Sequence, residues 1–323
     1  MPNLHHNAIK VTTMSGPICS PNPPRVSVGL AVFNGENMVA DALRSILEQS
    51  LTDFELIISD NGSTDNTESI CREFAARDPR IRYIRHSKNR GASWNQNFVI
   101  NAARAPYFKL AAHDDTIKPG FLETCVETLD SHPDAVCAYT RAMLYTQRTF
   151  GSGWVIQKYQ TRIRGDSDEA HIRFRDLIAR QYWVTPIHGV IRLEALKKTH
   201  LFGDFHSADV ALLIRLGMLG KMIEAPDYLF VRRFHPAQSI RLLDGDKQDY
   251  YDWWNPSKKR RVDFPTWRFL REQGAAIVAG NTGFIEKLKC VRELTNWIAQ
   301  KRRELILELV PTVFAKKAAN SET

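Results

Sequence analysis

Apolar residues along this chain recur in two rhythms, and the order of those rhythms predicts an architecture. Short apolar runs at 26–33, 55–59, 82–84 and 107–111 read as buried strands, since each is brief and bounded by turn-forming residues. Between them, 36–49, 66–77 and 91–103 repeat their apolar positions at helical spacing, with Leu43, Ile46 and Leu47 facing inward from the first and Ile70 and Phe74 from the second. Pro79 helps to end the second helix. Strand and helix alternating at this interval predict an α/β fold, a mainly parallel, doubly wound sheet of Rossmann-like kind flanked by helices. A strand at 135–139 closes this half, and 151–165 reads as a long loop. Residues 188–192 read as a strand entering a helix at 194–199, and the chain beyond 240 reads as charged, Trp-containing segments followed by a helical extension. No internal repeat interrupts this order.

Two of the predicted strands end in acids. The run Ile57-Ile58-Ser59 stops at Asp60-Asn61-Gly62-Ser63-Thr64-Asp65, where Asn61-Gly62 can make a tight turn and Ser63 or Thr64 can cap the next helix. Asp60 therefore sits at the carboxyl end of a strand, the edge where open α/β sheets bind ligands; its alternative role is to cap the turn. The second strand runs into Ala112-His113-Asp114-Asp115. Adjacent carboxylates raise each other's pKa, and a hard divalent cation that prefers oxygen ligands relieves the repulsion. Alternatively Asp115 caps the helix that follows Pro119, whose apolar face is Phe121, Leu122, Cys125, Val126 and Leu129.

Composition narrows the class. The chain has 323 residues, 43% of them hydrophobic, enough for one large domain with an appended part and too apolar for a disordered chain. No apolar run reaches the ~20 residues that span a bilayer, and residues 1–24, rich in Pro, Ser and Asn, lack the apolar centre of a signal peptide and read as a flexible tail. Cys19, Cys71, Cys125, Cys137 and Cys290 show no paired metal spacing, which fits reduced thiols and a cytoplasmic setting. The net charge of +8 gathers at Lys258-Lys259-Arg260-Arg261, Lys301-Arg302-Arg303 and Lys316-Lys317. With Ile285, Leu288, Val291, Leu294 and Ile298 on one side, the C-terminal helices offer either a solvated basic face or a peripheral contact with an anionic inner membrane surface. Aromatic and basic residues do not interleave in a nucleic-acid-binding motif, so nucleic acid is not expected as a partner.

Read in order, the motifs resemble those of glycosyltransferase family 2. They are Val26-Ser27-Val28-Gly29-Leu30-Ala31-Val32-Phe33-Asn34, the segment 43–65, the Asn89-Arg90-Gly91 turn with Asn95 and Asn97, and the double aspartate before Pro119. Ser207-Ala208-Asp209 ahead of an apolar run at 212–220 and Arg232-Arg233-Phe234-His235 complete the series, which covers residues 25–240. The resemblance implies a GT-A fold and transfer of a sugar from a nucleotide diphosphate donor to a hydroxyl acceptor, a glycan or lipid-linked molecule. It implies donor contacts from Val32, Asn34, Glu36, Asp60, Asn61, Arg90, Asn95, His113, Asp114, Arg232 and Arg233, with Asp60 on the nucleobase and 32–36 against the nucleoside. It makes Asp114, Asp115 and His235 ligands of a divalent cation, Mg or Mn, and Asp209 the base that deprotonates the acceptor. Arg232, Arg233 and His235 resemble a late loop that closes over the phosphates.

Such residues suit the chemistry. Leaving of a nucleoside diphosphate builds negative charge that a cation and Arg side chains stabilise, and a carboxylate across the ring accepts the acceptor's proton, giving inversion. Three positions depart from the family pattern: Ala112 replaces the first metal-binding acid, Ala208 the glutamate before Asp209, and Ala31 a proline of the first strand. They keep open a second reading, a weak or inactive nucleotide-sugar or carbohydrate-binding protein. Asp209 and His235 also have ordinary roles open to them, a helix cap and a loop histidine. Trp154, Tyr159, Tyr182, Trp183 and His188 fall where an acceptor would be chosen, as sugar-stacking rings or as core. The expected organisation is a tail at 1–24, a transferase domain at 25–240 with a nucleotide half (25–140) and an acceptor half (141–240), and a helical extension at 241–323.

Overall fold

The structure is a computed structural model that describes residues 23–147, 153–161, 163–205, 207–235, 238, 252–257 and 264–319, with side chains to residue 309. Almost all of the expected tail, Cys19 and the basic cluster at 258–261 lie outside the described residues. Four strands, β1 (Val26–Val32), β2 (Phe54–Asp60), β3 (Ile81–Arg85) and β4 (Tyr107–Ala111), run parallel in the order β3-β2-β1-β4. All seven residues of β2 and all five of β4 are buried, as befits strands covered on both faces, which is why they read as continuous apolar runs.

The second half of the sheet is mixed rather than parallel. β8 (Val190–Arg192) wedges antiparallel between β4 and β6 (Ala135–Gln147), while β9 (Lys221–Phe234) runs parallel to β6 and antiparallel to the two-residue β5 (Thr116–Ile117). The segment expected as a loop at 151–165 contains β7 (Trp154–Tyr159), paired antiparallel with the far end of β6. Its Val155 and Ile156 are exposed, so β7 has no inward face for a hydrophobic pattern to reveal.

Helices cover both faces. On one lie α1 (Val39–Leu47), α2 (Thr67–Arg77) and α4 (Phe121–Ser131), with Leu43, Ile46, Cys71, Phe121, Leu122 and Leu129 buried in one cluster. On the other lie α3 (Ala92–Ala102), α5 (Ala170–Ala179), α6 (Leu193–Lys197), α7 (Ala208–Leu219), α8 (Pro265–Ala279) and α9 (Phe284–Ala319). All of α7 except Asp209 and Leu219 is buried, the mark of a helix apolar on every side. Its single buried cation, Arg215, meets Glu272 of α8 at 2.5 Å. Cys71, Cys125, Cys137 and Cys290 are buried and unpaired.

The apolar stripe expected on the last helix is divided. Leu294 and Ile298 pack against the core beside buried Cys290 and Trp297, while Ile285, Leu288 and Val291 stand exposed. The first turn of α9 is pinned to α5, since both the backbone N–H and Nδ1 of His171 lie about 3 Å from Glu286 Oε2 and Lys289 donates to Glu286 Oε1 at 2.8 Å. No helix among the described residues is long and apolar enough to cross a membrane.

Residues 252–257 thread back to the nucleotide half and seat Trp254 against Gly91, which has φ +90°. A Cβ there would strike the Trp254 carbonyl. Gly91→Ala is expected to cost about 1–3 kcal/mol or more, from the left-handed backbone plus the collision, read as a lowered denaturant midpoint.

Candidate active site

Strand order reverses between β1 and β4, and the crevice beyond their carboxyl ends is the position where α/β sheets take ligands. The loop after β1 and the loop after β2 are laced together there. Asn34, at φ +50°, donates its N–H to Ser63 Oγ at 2.9 Å and accepts from the Thr64 N–H at 2.9 Å. Gly35 N–H donates to Thr67 Oγ1 at 2.8 Å, and the Glu36 carboxylate accepts from both nitrogens of Asn66 at 2.9 and 2.7 Å. Ser63 and Thr64 thus serve Asn34 rather than capping α2; Asn66 holds the cap position, and Asp65 takes the Thr67 N–H at 3.0 Å. Lost from the expected first helix by this lacing, 36–38 form a turn and α1 begins at Val39.

Asp60 lies beneath this weave, fully buried. One oxygen accepts from the Ser63 N–H at 2.8 Å and the other from the Tyr83 hydroxyl at 2.7 Å, with Arg85 Nε 3.9 Å away. Burial and the Asp60 carboxylate together push the Tyr83 phenol far up, so it stays a donor. Asn61 donates to Asn89 Oδ1 at 2.9 Å and to the Gly91 carbonyl at 3.2 Å, and accepts from the Arg90 N–H at 3.0 Å. Asn95 donates to the carbonyls of Ser59 at 2.9 Å and Val32 at 3.3 Å, tying the ends of β1 and β2. Val32, Asn61 and Asn95 are thus buried framework at the rim, whereas Asn34, Glu36 and Arg90 reach its surface, Arg90 with its guanidinium 3.9 Å from the Trp94 ring centre.

The acids after β4 lie beside this loop. A Cβ on Gly35 would come within 2.7 Å of the His113 ring, so the two loops are in direct contact. The three expected metal ligands divide. His235 Nε2 approaches Asp114 Oδ2 at 3.3 Å. Asp115 is drawn aside, its carboxylate accepting the Arg233 N–H at 2.9 Å, and its oxygens do not join those of Asp114 and His235 in a three-ligand group; among the described residues only Glu169, His171 and Glu286 form one. Lys289 already bridges Glu169 and Glu286 there. Burial raises Asp114, but His235 and His113 outweigh it and hold the carboxyl well below the usual range. Burial and the Asp114 charge push Asp115 up, against Arg232 and Arg233. The Asp114 carboxylate oxygen and the His235 ring nitrogen converge at this rim, so these two would be the residues to hold a divalent cation there.

Arg233 binds the Asp114 carbonyl and, through Nη1, Asp41 of α1 at 3.1 Å. Lys109, in the middle of β4, is 2% exposed, and burial pulls its ammonium down to about 8 against the charge of Asp115. Neither Tyr83 nor Lys109 was singled out from the sequence. A lysine inside an otherwise apolar strand was the available signal for the second.

Asp209 lies half-buried in the first turn of α7 rather than at its cap, which is Ser207 at φ +67°, whose buried hydroxyl has no partner among the described residues. Among the described residues its carboxylate meets one hydrogen-bond partner, the Val210 N–H at 2.8 Å. Burial and then the Asp209 charge push the Tyr182 phenol far up. His188 is stacked on Phe230 at 5.4 Å and pulled down to about 3 by burial, then by Lys109 and Arg232, so it is neutral at pH 7. Trp183 is 39% exposed and packs on Phe234 with ring centres 5.0 Å apart; its backbone N–H donates to the Tyr159 hydroxyl of β7 at 2.8 Å. Trp154 lies tilted beside Tyr145, ring centres 6.4 Å apart, out on the hairpin.

A mixed sheet with a ligand crevice at its strand-order reversal, lined by strand-end acids, is the architecture of a GT-A glycosyltransferase. Residues 27–184 match the family model described as glycosyl transferase family 2, and the chain spans less than half the length of the first curated relatives it matches. It is 32% identical over 117 residues to the chondroitin synthase of Escherichia coli, a match covering 36% of this chain and only 17% of that one. It is 25% identical over 236 residues to an uncharacterized glycosyltransferase of Haemophilus influenzae, covering 71% of each. The crystal structure of S. aureus TarS 1-349 in complex with UDP-GlcNAc superposes with a TM-score of 0.58 at 14% identity, over 88% of this chain and 79% of that one, a likeness of fold.

Proposed function

We propose that the chain transfers a sugar from a nucleoside diphosphate donor to a hydroxyl of a glycan or lipid-linked acceptor, with inversion at the anomeric carbon. The contact of Gly35 with His113 carries this reading, because it joins the loop over Asp60 to the loop holding Asp114 in one crevice. The nucleoside lies over Asn34 and Glu36 with Asp60 as the floor of the base subsite, and the diphosphate lies toward Asp114 and His235. A divalent cation held by Asp114 and His235 would neutralise the departing diphosphate. Arg233, fixed behind Asp114, adds positive charge at the same end. Asp209 accepts the acceptor hydroxyl's proton from the opposite side. The exposed Phe284, Ile285, Leu288 and Val291, with Arg292 beside them, support a peripheral contact with an anionic membrane surface near lipid-linked acceptors.

A thermal-shift series with the diphosphates of uridine, guanosine and thymidine, each with Mn or Mg and then with chelator, tests the donor half. At a hundred times its Kd, a ligand of the folded form adds about 2.7 kcal/mol, so one nucleotide is expected to raise the melting point and chelator to lower that gain. No shift with any nucleotide overturns the reading. Nucleotide binding without turnover on any acceptor points instead to a binding protein.

A further inference from the structure

Arg232 and Arg233 are neighbours in sequence but not in environment. Residues 230–234 of β9 pair one for one with 142–146 of β6, so successive side chains leave opposite faces. Arg233 points toward α1 and Asp41. Arg232 shares its face with Phe230, which stacks on His188, and with Phe234, which packs on Trp183. Its guanidinium lies 5.4 Å from the Trp183 ring centre and 5.3 Å from that of Phe234. Among the described residues no ion pair joins Arg232 to a carboxylate, whereas Arg233 is paired with Asp41. Trp183 is braced by its backbone N–H, which donates to the Tyr159 hydroxyl.

We propose that Trp183 and Arg232 form an acceptor subsite for a sugar bearing a negative charge, a carboxylate or a phosphate. The proposal rests on the transferase reading above and names the acceptor class for that site. A pyranose lays its apolar face on the exposed indole, as rings of this kind accept sugars. The guanidinium, held against two aromatic faces and partly dry, presents its N–H donors to the anion, where a charge-assisted pair is about twice as strong as a neutral hydrogen bond. A neutral sugar satisfies the indole and leaves the cation uncompensated. This pair lies on the opposite face of β9 from the arginine that backs Asp114.

The test uses saturation-transfer NMR titrations of the full chain with methyl β-glucoside, methyl β-glucuronide and methyl β-glucoside 6-phosphate. At least one acidic probe is expected to bind about tenfold more tightly than the neutral one, and which of them does so distinguishes carboxylate from phosphate. Arg232→Gln should abolish that preference without weakening the neutral probe, Arg232→Lys should restore part of it, and Trp183→Ala should weaken all three. Arg232→Gln should still show a nucleotide-induced rise in melting point, which sets this placement against the donor contact that the family resemblance implies and also shows that the variant folds. Equal binding of neutral and acidic probes overturns the subsite, as does a preference that survives in Arg232→Gln. Loss of the nucleotide shift in Arg232→Gln overturns it too, by assigning the guanidinium to the donor. Absence of a nucleotide shift in the wild type overturns the transferase reading itself, a result separable from the other three.

Discussion

Asp209→Asn is expected to lower sugar transfer about 10²–10⁴-fold while leaving nucleotide binding unchanged. The asparagine amide oxygen can still accept the Val210 N–H that Asp209 now holds, so the first turn of α7 keeps its geometry. What is lost is the lone pair of an ionised carboxylate, the only feature that lets this side chain take a proton from an acceptor hydroxyl. Turnover at saturating donor and acceptor, compared with nucleotide-induced thermal shift on the same preparation, reads the two effects separately. Near-wild-type turnover would dismiss Asp209 as the base and leave it a helix-start residue. A parallel loss of nucleotide binding would instead mean that the substitution had disturbed the crevice.

Asp60→Ala should produce the largest loss of stability among the crevice acids. The carboxylate is fully buried and serves the Tyr83 hydroxyl and the Ser63 N–H, and removing it strands both donors where water cannot replace it. Hydrogen bonds to charged groups contribute about 1.5–3 kcal/mol each, so a loss of about 3–5 kcal/mol is expected in denaturant unfolding. Tyr83→Phe removes one of the two and should cost less than half as much. Nucleotide binding should fall in Asp60→Ala even under conditions where it is fully folded, because the loop that Asn34 and Ser63 share is no longer anchored. An unfolding midpoint within experimental error of the wild type would remove Asp60 from its place as the floor of the site.

Strands covered on both faces announced themselves in the sequence, because burial on each side leaves an unbroken apolar run; β1, β2 and β4 were legible to within a residue or two. The edge strand β7 was not, since its exposed Val155 and Ile156 carry no pattern that distinguishes a hairpin arm from a loop. The antiparallel wedge of β8 depends on pairing with residues more than fifty positions earlier, which no local signal encodes. At the candidate site, strand ends and motif order pointed to the rim where the loops after β1, β2 and β4 meet. The separation of Asp114 from Asp115 was not legible, because it follows from the Arg233 N–H that captures the second acid. Likewise the split between Arg232 and Arg233 appears only once 221–234 is known to be one extended strand.

The two asparagines at the rim have a consequence for working conditions. Asn61 and Asn95 fasten the mouth of the sheet through dipoles alone, and an amide neither titrates across the physiological range nor weakens as ions crowd around it. The ties these two amides make between the ends of β1 and β2 and the 89–91 turn should therefore hold unchanged across acidity and ionic strength.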